Sequence, residues 1–158
     1  MVLTAAFLLG LVAGLRSMMQ LAAVSLAADS GRLVLANGAF SFLRYPASAW
    51  IFSIFAAGEL IADKLPVVPS RKQVFPFAVR ILSGAIAGGA VGASAGAPTL
   101  GIALGVVGAI LGTIGGFAFR ARLATALNRD LPAALLEDAV AILLALAAYR
   151  LMPARPLL

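Results

Sequence analysis

Residues 81–119 read ILSGAIAGGAVGASAGAPTLGIALGVVGAILGTIGGFAF, 39 residues without one charged side chain. As a single helix this stretch would run about 58 Å at 1.5 Å per residue. That is nearly twice the ~30 Å hydrocarbon core of a bilayer. The chain must therefore turn within it, and Gly96-Ala97-Pro98-Thr99 is the strong break. The stretch predicts two membrane helices closed into a tight hairpin. Gly84, Gly88, Gly92 and Gly96 recur every four residues before the turn, and Gly101, Gly105, Gly108, Gly112 and Gly116 follow it. Such spacing lays each set along one helix face. Without a Cβ, backbones approach closely, and close van der Waals packing associates helices in lipid. The glycines either pack helices only, or also line a sliding or permeation surface.

Composition agrees with that opening. The chain has 158 residues, of which 63% are hydrophobic and 11% charged, which predicts an integral membrane protein folded as one domain, 1–158. The net charge is +6 and the pI about 11.2. In a soluble protein such a balance would suggest nucleic acid. Here the lysines and arginines flank apolar spans, where they set topology. The expected partners are membrane lipids and a small cation or polar solute, with no nucleic acid. A second copy of the chain is a further candidate. The absence of Cys and His removes thiol chemistry, structural zinc and histidine proton relays. No cofactor, no metal and no enzymatic activity are expected. Arg16 interrupts the first apolar run and no basic residue precedes it, so that run is expected to stay as a membrane helix rather than act as a signal peptide.

Taken in order, the sequence predicts an all-α bundle of about five spans: 2–28, 46–65, 75–96, 99–119 and 133–151. Arg16 falls inside the first. A charge there costs about 2.5–3.5 kcal/mol on insertion scales, so Arg16 is expected to face the bundle and meet a carboxylate, a carbonyl or water. A break at Gly14 would leave Ser17 near the start of a half-helix, whose amides can hold an anion. Residues 29–45, with Asp29-Ser30-Gly31 and Asn37-Gly38 turn signals, are expected to lie along the membrane surface, with Tyr45 and Trp50 at headgroup depth.

Loop charges orient the bundle. With five spans, Lys64, Arg71, Lys72, Arg120, Arg122 and Arg129 collect on one side, and Arg32, Arg44, Arg150 and Arg155 on the other. Six against four favours the first side as cytoplasmic, with the N-terminus inside and the C-terminus outside. A repeat is also suggested. Gly10-Leu11-Val12-Ala13 aligns with Gly105-Val106-Val107-Gly108, and Ala56-Ala57-Gly58-Glu59 with Ala134-Leu135-Leu136-Glu137. Halves 1–75 and 97–158, joined by the helix 76–96, would then form an inverted repeat of the transporter kind.

The residues that stand out chemically are acids. Glu59 and Asp63 form an i,i+4 pair whose like charges need a cation, an arginine or a shared proton between them. Glu137 and Asp138 sit in the second turn of the last span and point about 100° apart. With Arg80 at the start of the third span, and Lys64 and Arg71 beside it, four carboxylates are expected in one layer of the inner third of the membrane. They either neutralise Arg80, Lys64, Arg71 and Arg122 and pin the helix ends as a structural network, or form a cytoplasm-facing site for a cation, a proton or a cationic solute. Carboxylate-held Mg²⁺ acting on lipid phosphate is a weaker alternative.

Gly14-Leu15-Arg16-Ser17-Met18, the run Gly58-Glu59-Leu60-Ile61-Ala62-Asp63-Lys64-Leu65-Pro66 with Pro69-Ser70-Arg71 after it, and Leu136-Glu137-Asp138 resemble the signatures of a family of small bacterial membrane proteins catalogued as a domain of unknown function. The resemblance covers nearly the whole chain. It implies a bacterial inner-membrane protein and carries no residue roles with it. The leading functional expectation is a small transporter or channel-like protein. In it Glu59 and Asp63, helped by Glu137 or Asp138, hold the solute, and Arg16 and Arg80 act as charge partners or gates. Gly84, Gly88, Gly92, Gly105, Gly108 and Gly112 pack the helices. A non-transporting scaffold and a lipid-handling protein are the alternatives.

Overall fold

A computed structural model describes residues 1–63 and 74–152. They form six α-helices: α1 Val2–Leu15, α2 Met19–Asp29, α3 Pro46–Ala62, α4 Val74–Ala93, α5 Pro98–Leu127 and α6 Asp130–Leu151, with a short 3-10 helix, Ser41–Arg44, before α3. There is no strand among the described residues. The fold is the expected all-α one. The expectations for Lys64, Arg71, Lys72 and Arg155 lie outside the described residues.

Residues 75–93, α5 and α6 are long and apolar enough to cross a membrane, whereas α1 and α3 are apolar but shorter. The packing is inside out relative to a water-soluble protein. Alanines and glycines fill the interior, among them Ala5, Ala6, Ala87, Ala90, Ala109, Ala141 and Ala148. Large apolar side chains such as Ile54, Leu82, Ile114 and Leu143 point outward. In water so much exposed apolar surface would drive association. In lipid it is the surface that faces acyl chains, and small residues at the contacts let helices close.

The α4–α5 hairpin turns as expected. Gly96 takes φ +71° there, a backbone shape that side chains disfavour. It therefore serves the turn rather than continuing the seam of Gly84, Gly88 and Gly92. Those three meet Gly101 and Gly105 backbone to backbone: a Cβ added to Gly92 would come within 2.6 Å of the Ala97 carbonyl oxygen and 2.8 Å of Gly101 Cα. Gly108 and Gly112 face a different helix. They receive α1, and a Cβ on Gly108 would lie 2.5 Å from the Phe7 carbonyl oxygen. α5 thus presents one glycine ridge to α4 and a second to α1.

Contacts along that ridge also give the chain direction. Gly10 meets Gly105 and Gly108, while Gly14 meets Ala109, Gly112 and Thr113, so α1 runs parallel to α5. α2 runs beside α6 in the same sense: Arg16, just before α2, meets Asp138, and Ser30, just after it, meets Tyr149. α6 returns antiparallel to α5, so α1 and α2 point in opposite directions. The expected first span, 2–28, is therefore two helices that reverse at Arg16-Ser17-Met18. At 1.5 Å per residue they are about 21 and 16 Å long, each too short to span alone.

This reversal makes the helix count six rather than five, and it places the Met1 and Met152 ends together, away from the Arg16 tip. Val2 and Leu151 pack against the same apolar cluster. Termini on opposite faces followed from treating the first stretch as one span. The aligned halves do not form one inverted pair either. α1 and α5 run parallel, whereas α3 ends where α6 begins its buried acids, so those two run in opposite senses.

Two further differences have simple causes. α5 continues to Leu127 and stops at Asn128 in a left-handed conformation, so Arg120 and Arg122 lie on the helix rather than in a loop. Their neighbours Ala121, Leu123 and Ala124 are good helix formers. Residues 29–45 do more than line a surface. Leu33, Leu35 and Leu43 are buried in the core, and the Phe40 ring sits against Gly89.

Gly88→Ala and Gly10→Ala should each lower the thermal midpoint in detergent, because the new methyl meets backbone, at a cost of about 1–3 kcal/mol. Gly58→Ala and Gly115→Ala, whose methyls would meet nothing within 4 Å, should leave it unchanged or raise it by up to about 1 kcal/mol of helix propensity. Thermal unfolding followed by circular dichroism and gel filtration checks the contrast.

Candidate functional site

The polar residues singled out from the sequence converge on the α1–α2 reversal. Arg16, in extended conformation between the two helices, is 1% exposed. Its Nε donates to Asp138 Oδ1 at 2.8 Å and its Nη2 to Asp63 Oδ2 at 2.9 Å; Nη2 also reaches Asp138. The tip of the reversal thus ties the end of α3 to the third turn of α6. A guanidinium is suited to this, since it offers five donors in a fixed plane and cannot lose its charge.

The next two residues expose their amides. Ser17 N donates to Glu59 Oε1 at 2.7 Å and Met18 N to Glu59 Oε2 at 3.0 Å. The first amides of a helix have no partner within it, and their positive end favours an anion. The half-helix predicted from the sequence does hold an anion, and that anion is the protein's own Glu59. The break falls two residues later than Gly14. Gly14 instead stays helical and packs against α5, and its carbonyl accepts from Arg80 Nη1 at 2.6 Å. Arg80 Nη2 lies 4.0 Å from Glu59 Oε1, so the same carboxylate has a cation beside it.

Arg120 completes the layer from α5. It donates from Nη1 to Asp63 Oδ2 at 2.5 Å and from Nε and Nη2 to Asp130 at 3.0 and 2.6 Å. Its Nη1 also lies 3.7 Å from Glu137 Oε2. Glu137 is fully buried against Gly116, where an added Cβ would sit 3.1 Å from Oε1. The two adjacent acids of α6 therefore diverge, Asp138 to Arg16 and Glu137 to Arg120, as their 100° separation requires. Glu59 and Asp63 avoid mutual repulsion because amides and Arg80 take one, and Arg16 and Arg120 the other.

All four carboxylates expected in one layer are thus brought together with Arg16 and Arg80. Lys64 and Arg71 fall outside the described residues. Arg120 and Asp130 were not foreseen as members. Arg120 looks like a loop cation in the sequence, and only the continuation of α5 aims it back into the bundle. The layer lies inside the helix ends. α4 starts six residues before Arg80, α5 runs seven residues past Arg120, and α6 starts seven residues before Glu137, about 10 Å in each case. No group of three or more His, Cys, Asp or Glu side chains among the described residues is disposed to hold a metal ion.

Two buried polar atoms of α2 have no partner among the described residues. Gln20, fully buried in the first turn of α2, donates its Nε2 to Ser17 O at 2.6 Å. Its Oε1 and the Ser25 hydroxyl accept no hydrogen bond among the described residues. A buried acceptor left bare costs about 1–3 kcal/mol, so water or a solute group is expected to reach Gln20.

Arg16→Ala should destabilise the protein by about 3–5 kcal/mol, since it strands Asp63 and Asp138 beside each other without their shared cation. Arg16→Lys should recover only part of the loss, because an ammonium lacks the planar fork that meets both acids. Detergent unfolding curves for the two variants check this.

No curated protein and no solved structure matches the chain. The motifs around Arg16, Glu59–Arg71 and Glu137-Asp138 all fall inside the span matched by one family model, and the resemblance they suggested holds. The chain belongs to the family described as a domain of unknown function (DUF4126), whose model matches residues 3–154.

Proposed function

We propose that this membrane protein moves a small cation, a proton or a small polar solute, with Glu59, Asp63, Glu137 and Asp138 as its inner site and Arg16, Arg80 and Arg120 as the ionic gate that closes it. One observation carries the proposal: a helix pair broken inside the bundle, whose tip residues meet carboxylates from two other helices. Irregular backbone at membrane depth is tolerated where it is buried in protein or lines a cavity. Broken helices with exposed amides and carbonyls form the central sites of many transporters. Ionisable groups in such positions are costly and cluster on ion or solute paths. In this arrangement the arginines occupy the carboxylates, which corresponds to the closed state. A solute would enter by displacing a guanidinium, and the buried Gln20 Oε1 offers a further acceptor.

Orientation follows from the same layer. Arg120, Arg122 and Arg129 lie toward its end of the bundle, and by sequence Lys64, Arg71 and Lys72 join helices that begin or end there. Arg32 and Arg150 lie at the other end. We place the layer at the cytoplasmic side of a bacterial inner membrane. Because α1 and α2 reverse, the N-terminus then joins the C-terminus outside.

A scaffold reading is favoured by the reciprocity of the ion pairs, each described arginine of the layer facing an acid of another helix. Liposome flux separates the two. Purified wild-type protein should pass a small cation or protons down a gradient. Glu59→Gln and Asp63→Asn should reduce that flux at least tenfold while remaining folded in detergent. Wild-type liposomes no leakier than protein-free ones, across a panel of monovalent cations and protons, would leave the scaffold.

A further inference from the structure

Away from the ionic layer, α2 and α6 do not close against each other along their whole length. Between them lies a groove of about 500 Å³, within the range of small-molecule sites. Ala22 and Ala145, both buried, form its floor. Met19, Ala23 and Leu26 on one side and Ile142 and Leu146 on the other form its walls. Leu26, Ile142 and Leu146 are among the outward-facing apolar side chains, so the groove opens to the acyl region of the bilayer rather than to water.

One end of the groove is different. Asp29, Ser30 and Tyr149 line it, and the Ser30 hydroxyl and Tyr149 hydroxyl lie 3.1 Å apart. Arg32 lies over the Tyr149 ring, 5.1 Å from its centroid, and donates to the Tyr149 and Arg150 carbonyls at 2.9 and 2.8 Å. Arg150 follows Leu146 by one turn on the same helix face and is exposed. Arg32 thus sits at the mouth and Arg150 on the helix face above it, against one carboxylate, Asp29, among the described residues that line the groove. From Met19 to Ser30 the groove runs about 16 Å, half of the ~30 Å hydrocarbon thickness, which is one leaflet.

We propose that this groove holds one acyl chain of an anionic phospholipid from the surrounding bilayer, its phosphate seated at Arg32 and Arg150. The apolar walls, the single-leaflet length and the cationic mouth match an amphiphile of that charge. The site is independent of the carboxylate layer, which it meets only at Met19, and it stands whether or not the protein transports anything.

Native mass spectrometry of the full chain in a mild detergent tests it, with phosphatidylglycerol, phosphatidylcholine and oleate added in turn. One phosphatidylglycerol should be retained about fivefold better than phosphatidylcholine, the effect of one cation near a headgroup. Ala23→Phe, which fills the groove, should abolish the retained adduct. Arg150→Gln, which leaves Arg32 in place, should reduce the preference for phosphatidylglycerol, and Arg44→Gln, a cation outside the groove, should change nothing. If Ala23→Phe elutes as aggregate, Ala23→Leu and Arg150→Gln carry the test. Equal retention of both phospholipids by the wild type, an unchanged adduct in the groove variants, an equal loss in Arg44→Gln, or retention of oleate in place of phosphatidylglycerol would each overturn the proposal.

Discussion

A guanidinium inside an apolar bundle has to be met by anions, and Arg16 is met by two. Its position at the reversal between α1 and α2 leaves it no route to water, since it is 1% exposed. Asp63 must come from the end of α3 and Asp138 from the third turn of α6. Breaking a buried pair by removing one partner is far more costly than the pair's net worth. These contacts therefore set where α3 ends and how deep α6 sits. The tip's two amides then fix Glu59, and Glu59 in turn draws Arg80 toward the Gly14 carbonyl.

Packing in the rest of the bundle follows a different rule. Between helices immersed in lipid there is no hydrophobic driving force of the kind found in water, so contact area and close approach decide association. α5 meets this demand with two glycine ridges, one for α4 and one for α1. Each ridge excludes even a methyl group. That close approach brings Gly14 against Thr113 and Ala109 and holds the reversal at the level of the carboxylates. The glycines and the charge layer are thus mechanically linked: loosening the α1–α5 contact would move Arg16 away from its acids.

The proposed transport role and the lipid groove use opposite properties of α2. Its first turn presents amides and a buried Gln20 to the polar layer, and its remaining turns stand apart from α6 and leave an apolar slot. A helix of eleven residues thus runs from the ionic layer to the polar end of the groove at Asp29 and Ser30.

The all-α membrane character, the hairpin turn at Gly96, the alignment of glycines on helix faces and the identity of the important charges were legible in the sequence, because composition and residue spacing carry them directly. Arg16 had to find carboxylates, and the acids spaced along the chain had to find cations, on energetic grounds alone. Which acid met which arginine was not legible, since those partners are separated by more than a hundred residues for Arg16 and Asp138. The reversal at Arg16-Ser17-Met18 was hidden because residues 2–28 are long and apolar enough to pass for one span, and only a capping carboxylate from α3 makes two short helices worth forming. Arg120 joined the layer for a related reason. Helix propensity carries α5 past its apolar stretch, and the antiparallel return of α6 then supplies the acids that hold its guanidinium. Local chemistry named the components, and long-range electrostatic pairing, decided only once the helices were packed, assigned them their places.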